Sequence, residues 1–180
     1  MHHRLPGRRT AGDVGQDVPT LGTAGHMSDN FLQRGGLWVL GQSMLLCAVI
    51  AGGILCRNQW QSLAFTLGGA FLLLIAAGCG WAGTVSLGRN LTPFPKPSAS
   101  TKLVQTGIYG LIRHPLYTAV FCGSVGWALL WRSWPALLAA LALAPLFDAK
   151  ARREEHWLRQ RFPEYSGYER RVRRFVPWLY

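Results

Sequence analysis

Four stretches of this chain contain no Asp, Glu, Lys or Arg: 35–56, 58–88, 114–131 and 133–147. The first two exceed the ~20 residues that a helix needs to cross the hydrocarbon core of a bilayer. The last two, about 18 and 15 residues long, would each be ambiguous with a buried helix of a soluble protein. Only Arg132 interrupts them, flanked by Trp131 and Trp134 as in an interfacial aromatic belt, so they read as a tight helical hairpin. The pattern predicts an all-α membrane protein with about four transmembrane helices, the last two forming that hairpin.

Four crossings place both termini on one side, and the positive charges divide accordingly. Of the 19 lysines and arginines, the side with the termini and the central loop receives all but Arg57 and Arg132. The positive-inside rule makes that crowded side cytoplasmic, with the inner membrane expected if the source is bacterial. The net charge of +11 then needs no nucleic-acid partner, because basic residues beside a bilayer meet anionic headgroups. A nucleic-acid binder would need an aromatic and basic surface on a soluble fold, whereas these aromatics lie mostly in or beside apolar stretches. Cys47, Cys56, Cys79 and Cys122 fall in or at the ends of apolar helices with no C-x-x-C, and the histidines lack metal-ligand spacing. Neither a disulfide nor a metal site is expected.

Residues 1–30 have no apolar run and no signal-peptide core, and are expected to be a disordered extension ahead of a single membrane domain, 31–180. Translation from Met27 would make 1–26 an upstream extension; the N-terminal peptide of the endogenous protein, identified by mass spectrometry, decides this. The first span, near Leu37–Leu55, and the second, near Leu63–Gly83, are rich in glycine, including Gly41, Gly52, Gly53, Gly68, Gly69 and Gly78. Small residues let helices approach closely in lipid. Residues 84–113 form the longest internal loop, where Pro93, Pro95 and Pro97 exclude helix and Gly107 permits a sharp turn. The last apolar stretch runs into DAKARREEHWLRQRF without a breaker after Pro145, which predicts a helix leaving the membrane, with a kink at Pro145.

Chemistry concentrates in two clusters. In Arg113-His114-Pro115-Leu116-Tyr117, arginine offers a planar fork for a substrate carboxylate or phosphate. Histidine offers a donor and an acceptor near neutral pH. Proline suits the first turn of the third helix, whose free N–H groups favour an anion. Tyr117 lies about one turn beyond His114. Glu154 and Glu155, at the exit of the last apolar stretch, can meet an ammonium or hydroxyls. Together these groups suit a zwitterionic ligand. Each also has a plainer reading, as anchor, cap or solvated helix face, and it is their combination that points to a site.

The strings KLVQTGIYGLIRHPLY and REEHWLRQRFPEYSGYERRVRRFVP resemble the isoprenylcysteine carboxyl methyltransferase and phospholipid methyltransferase superfamily of integral membrane enzymes. The resemblance covers roughly 84–178. It implies S-adenosylmethionine as cofactor, bound in a pocket formed by the cytoplasmic loop and the C-terminal helix. By position it assigns cofactor contacts to Thr101, Lys102, Leu103, Val104, Tyr109, His114, Pro115, Leu116, Tyr117 and Glu154. Lys150 falls where the prenylcysteine enzymes carry a substrate-contacting arginine; lysine lacks that fork, which weakens the case for a prenylcysteine carboxylate. Thr118-Ala119 replaces a glycine found in many members. The expected activity is methyl transfer to a lipophilic or lipid-anchored substrate reached from the bilayer. Two alternatives stand beside it: a nicotinamide-dependent membrane reductase of sterol-reductase-like fold, and a non-catalytic membrane scaffold.

Overall fold

A computed structural model describes residues 35–88, 91, 94 and 102–179. The first helix, α1, spans Gly36–Leu55 and α2 spans Leu63–Leu87. After the central loop, a single 3-10 turn at Gly107–Gly110 leads into α3, Pro115–Trp131. Helix α4, Trp134–Arg161, and the short α5, Tyr165–Arg171, complete the fold. The described residues hold no strand, only one isolated parallel bridge between Ile112 and Arg173. The protein is all-helical, as the charge-free stretches predict.

Helices α1, α2 and α4 are long and apolar enough to cross a membrane. Helix α3, with 17 residues, is shorter; at 1.5 Å per residue it reaches about 25 Å, just under the ~30 Å hydrocarbon thickness. The second span runs four residues beyond its expected end at Gly83, stopping where Gly88 takes a positive φ of 51°. Large apolar side chains cover the outside: Leu37, Met44, Leu63, Phe71, Leu74 and Trp81 are all exposed. An apolar exterior on this scale would drive aggregation in water, and lipid is the solvent that covers it.

Small residues hold the interior together. Helix α2 packs on α3, and α1 on α4. A Cβ added to Gly126 of α3 would lie 2.8 Å from the carbonyl oxygen of Gly69 of α2, and one on Gly69 would lie 3.0 Å from that of Gly126. The two backbones are therefore in direct contact, a distance that only glycine allows. Gly52 of α1 meets the backbone of Ala136 in the same way, and Gly53 is pressed against the Trp127 indole. Gly68 and Gly78, which the sequence does not distinguish from these, face open space.

The hairpin between α3 and α4 is as tight as expected. Arg132 closes α3 in the left-handed region at φ 56°, with its N–H donating to the carbonyls of Ala128 and Leu129. Ser133 caps α4: its hydroxyl accepts from the Ala136 N–H at 3.3 Å and donates to the Gly52 carbonyl at 2.8 Å. The α1–α2 loop grips the same corner, with the Asn58 and Gln59 N–H groups donating to the carbonyls of Trp131 and Arg132. Helix α4 passes through Pro145 without interruption. Its charged half, from Asp148, leaves the apolar layer and is met by α5, where Tyr165, Tyr168 and Val172 form a small buried cluster with Leu103, Leu158 and Phe162.

Candidate functional site

The site is assembled at the end of the bundle where α3 begins and α4 leaves the apolar layer. Gly107 takes φ 62°, the left-handed value its sequence context anticipates. It opens the turn that carries Tyr109, whose carbonyl accepts the Tyr168 hydroxyl at 2.6 Å. Next, the N–H groups of Arg113 and His114 donate to the carbonyls of Arg173 and Arg174 at 2.9 and 3.0 Å. The C-terminal segment is thereby pinned beside the first turn of α3. Pro115 follows at that first turn, where its missing N–H costs nothing.

Glu155 is the centre of a buried charge cluster. It has no solvent exposure, and Arg113 donates to its Oε1 from Nε at 3.0 Å and Nη2 at 2.9 Å. Arg174 adds a two-pronged grip, Nε to Oε1 at 3.0 Å and Nη2 to Oε2 at 2.7 Å, and its Nη1 reaches Asp148 at 2.8 Å. His114 Nε2 lies 3.1 Å from Glu155 Oε1. A carboxylate only accepts, so Nε2 carries a proton and donates it, while Nδ1 points the other way. Burial alone would raise the Glu155 carboxyl. The hydrogen bonds from His114 and Arg174 and the charges of His114 and Arg113 outweigh it and hold the group well below the ordinary carboxylate range.

Glu154, one residue earlier, faces a different environment. Its Oε2 accepts the Tyr117 hydroxyl at 2.7 Å and lies 3.8 Å from His114 Nδ1. The side chain is 28% exposed, so this carboxylate is reachable. Burial, then the negative charge of Glu154 and the neighbouring Tyr168, push the Tyr109 phenol well above its ordinary range and keep its hydroxyl a donor. The rings of His114, Tyr117 and Phe147 run parallel, at centroid distances of 5.2 and 5.1 Å. Lys150, itself 1% exposed, donates to Gln42 of α1 at 2.7 Å and places its ammonium 5.0 Å from the Tyr117 ring centroid.

An apolar cavity of about 490 Å³ opens between α3 and α4 on the membrane side of this cluster. Phe121, Cys122, Ala144 and Pro145 line it, and Phe175 and Val176 of the C-terminal segment contribute to its wall. Tyr117 and Phe147 belong both to the ring stack and to the cavity. A polar cluster with a reachable carboxylate thus adjoins an apolar chamber.

The structure brings together Tyr109, His114, Tyr117, Glu154 and Lys150 from the positions the sequence singles out. Others it directs elsewhere. Arg113, expected at a substrate, commits its fork to Glu155 and its remaining nitrogen to the carbonyls of Glu169 and Val172, both at 2.8 Å. Leu116 and Pro115 pack against Gly83 of α2. Leu103 joins the apolar cluster beneath α5, Val104 is half-buried in the extended lead-in, and Lys102 is exposed. Thr101 lies outside the described residues. Sequence reasoning missed Gln42, Phe147, Asp148 and Arg174. Gln42 carries a readable signal, a polar side chain inside an apolar helix, whereas Arg174 is one of four arginines in a basic tail and nothing local distinguishes it.

Comparison with known proteins bears on this geometry. Residues 63–165 match the family model described as phospholipid methyltransferase, which covers α2, α3, α4 and the loop that carries Tyr109. The chain belongs to the phospholipid methyltransferase family. It is 36% identical over 155 residues to the nickel-cobalt-cadmium resistance protein NccN of Alcaligenes xylosoxydans xylosoxydans. It is 32% identical over 155 residues to the cobalt-zinc-cadmium resistance protein CzcN of Cupriavidus metallidurans. Both matches cover 84% of this chain and 68% of the relative. A shorter match, 32% identical over 99 residues, covers 53% of this chain and 50% of protein-S-isoprenylcysteine O-methyltransferase B of Arabidopsis thaliana. The family is one of membrane methyltransferases, in keeping with the apolar helices found here.

Proposed function

We propose that this protein transfers a methyl group from S-adenosylmethionine to a lipophilic or lipid-linked acceptor at the membrane face. The observation that carries the reading is the continuity of two environments through Tyr117: the reachable carboxylate of Glu154 on one side and the apolar cavity on the other. The residues present suit the cofactor. A part-exposed carboxylate suits an ammonium, and electron-rich rings suit a sulfonium. Tyr109, His114, Tyr117 and Glu154 would hold it. When bound, the cofactor supplies a methyl carbon already made reactive by its sulfonium.

The chain's own part is then to align and to exclude water. Tyr117 orients Glu154 through its hydroxyl, and Glu155 orients His114. The cavity takes the apolar body of the acceptor, and Lys150 faces the end of the acceptor that would lie by Tyr117. The same reading puts the cluster and both termini on the cytoplasmic side, in line with the charge asymmetry.

Beside Tyr117 and His114 a nicotinamide-dependent reductase would need cations for the cofactor's phosphates, yet Arg113 and Arg174 there are committed to Glu155, Asp148 and backbone carbonyls, and the reachable charge is the Glu154 carboxylate. The likeness to two metal-resistance proteins over most of the chain supports a role in metal tolerance. The decisive experiment incubates the purified protein in detergent with labelled S-adenosylmethionine and a total lipid extract. Expected are cofactor binding that Glu154→Gln and His114→Ala both weaken, and label in the organic phase. Absence of binding, or binding indifferent to both substitutions, overturns the reading; binding without any labelled product favours the scaffold.

A further inference from the structure

Two sets of arginines at this end of the molecule differ in their partners. Arg113, Arg152, Arg159 and Arg174 each pair with a carboxylate. Arg170, Arg171 and Arg173 are exposed, and among the described residues none of them pairs with a carboxylate. All three line one surface pocket of about 270 Å³, together with Gly110, Leu111 and Trp178. Three like charges around one pocket repel each other, and an anion seated among them would relieve that repulsion. Arginine forks match phosphate in shape as well as charge.

The surroundings indicate where that phosphate would come from. Leu111 is 43% and Trp178 86% exposed on the rim, and Leu179 and Val176 beside them are exposed as well. Trp178 has φ 62°, a conformation rarely taken by a bulky residue. The segment is tied to the first turn of α3 through the carbonyls of Arg173 and Arg174, and Phe175 and Val176 line the cavity between α3 and α4. The pocket therefore lies at the level where the helices leave the apolar layer. Tryptophan favours this headgroup level, and cations here meet the surface charge of anionic lipids.

We propose that Arg170, Arg171, Arg173, Leu111 and Trp178 form a binding site for an anionic phospholipid, its phosphate among the arginines and its glycerol and upper acyl chain against Leu111 and Trp178. The site shares no residue with Tyr109, Tyr117, Lys150 or Glu154, so its lipid is a structural partner separate from any methyl acceptor. It does not depend on the protein being a methyltransferase.

The test uses the full chain in mild detergent, with phosphatidylglycerol and phosphatidylcholine of identical acyl chains added in turn and bound lipid counted by native mass spectrometry. Wild type is expected to hold phosphatidylglycerol at least tenfold more tightly. The R170Q/R171Q/R173Q variant is expected to fall to the phosphatidylcholine level, at roughly fivefold per cation removed. An R57Q/R132Q variant, altered at the opposite end of the helices, should keep the preference. If the triple variant fails to fold, raising salt from about 50 to about 500 mM should weaken phosphatidylglycerol binding to wild type and leave phosphatidylcholine binding unchanged. Equal affinity for the two lipids, a preference that survives the triple substitution, or one indifferent to salt overturns the proposal. So does displacement of the lipid by millimolar inorganic phosphate, which would mark a site for a soluble anion.

Discussion

Glu154 and Glu155 are adjacent in sequence and differ completely in circumstance. About 100° of helix rotation turns one toward Tyr117 and a reachable opening, and buries the other completely in a knot with two arginines and a histidine. Glu155→Ala would remove the carboxylate that Arg113 and Arg174 share, leaving them only backbone carbonyls and Asp148, at a cost of about 3 kcal/mol, read as a lower unfolding temperature in detergent. The pH dependence follows from the same knot. The Glu155 carboxyl is held below its unfolded value, so its contribution to stability is complete above roughly pH 4.3 and fades as pH falls through the lower folded value. Thermal unfolding should therefore show no loss attributable to Glu155 between pH 7 and pH 5, and Glu155→Gln should remove this contribution throughout that range. Tyr117→Phe, by contrast, deletes one hydrogen bond to a charged group and should weaken S-adenosylmethionine binding by about tenfold with the fold intact, as measured by equilibrium binding. An EE dipeptide tells a reader that a carboxylate is present; which one is structural depends on what stands opposite, and Arg174 comes from a segment 19 residues away.

At the scale of elements, charge-free stretches mark helices well because the cost of a charge in hydrocarbon leaves little room for compromise. The two Trp-flanked stretches around Arg132 became a hairpin for the same reason, with Arg132 closing one helix and Ser133 opening the next. Packing between helices was less legible. Glycine appears in both close and open positions, and only the neighbouring helix separates them. Gly126→Ala should destabilise the protein by about 1–3 kcal/mol, because its Cβ would meet backbone that cannot easily retreat. Gly68→Ala meets nothing and should leave the unfolding temperature unchanged or slightly raised through helix propensity. Paired thermal unfolding curves of the two variants check both outcomes.

For the molecule as a whole, the C-terminal segment is the piece that completes the site. It supplies Arg174 to Glu155, two carbonyls to the Arg113 side chain and two more to the backbone of Arg113 and His114. Ending the chain after Glu164 should abolish S-adenosylmethionine binding while the apolar helices still insert, a result read from membrane fractionation alongside binding. The amino-acid sequence by itself determined the helices and the hairpin and singled out the two polar clusters, because each of these rests on local composition and on the solvent each stretch can tolerate. Only the tertiary structure decided that Arg113 spends its guanidinium on Glu155 and backbone carbonyls, that Glu154 remains reachable, and that Lys150 meets Gln42 from a helix more than a hundred positions earlier. Those roles depend on which side chains face each other across the bundle, and such pairings arise from packing between distant segments, which local sequence does not encode.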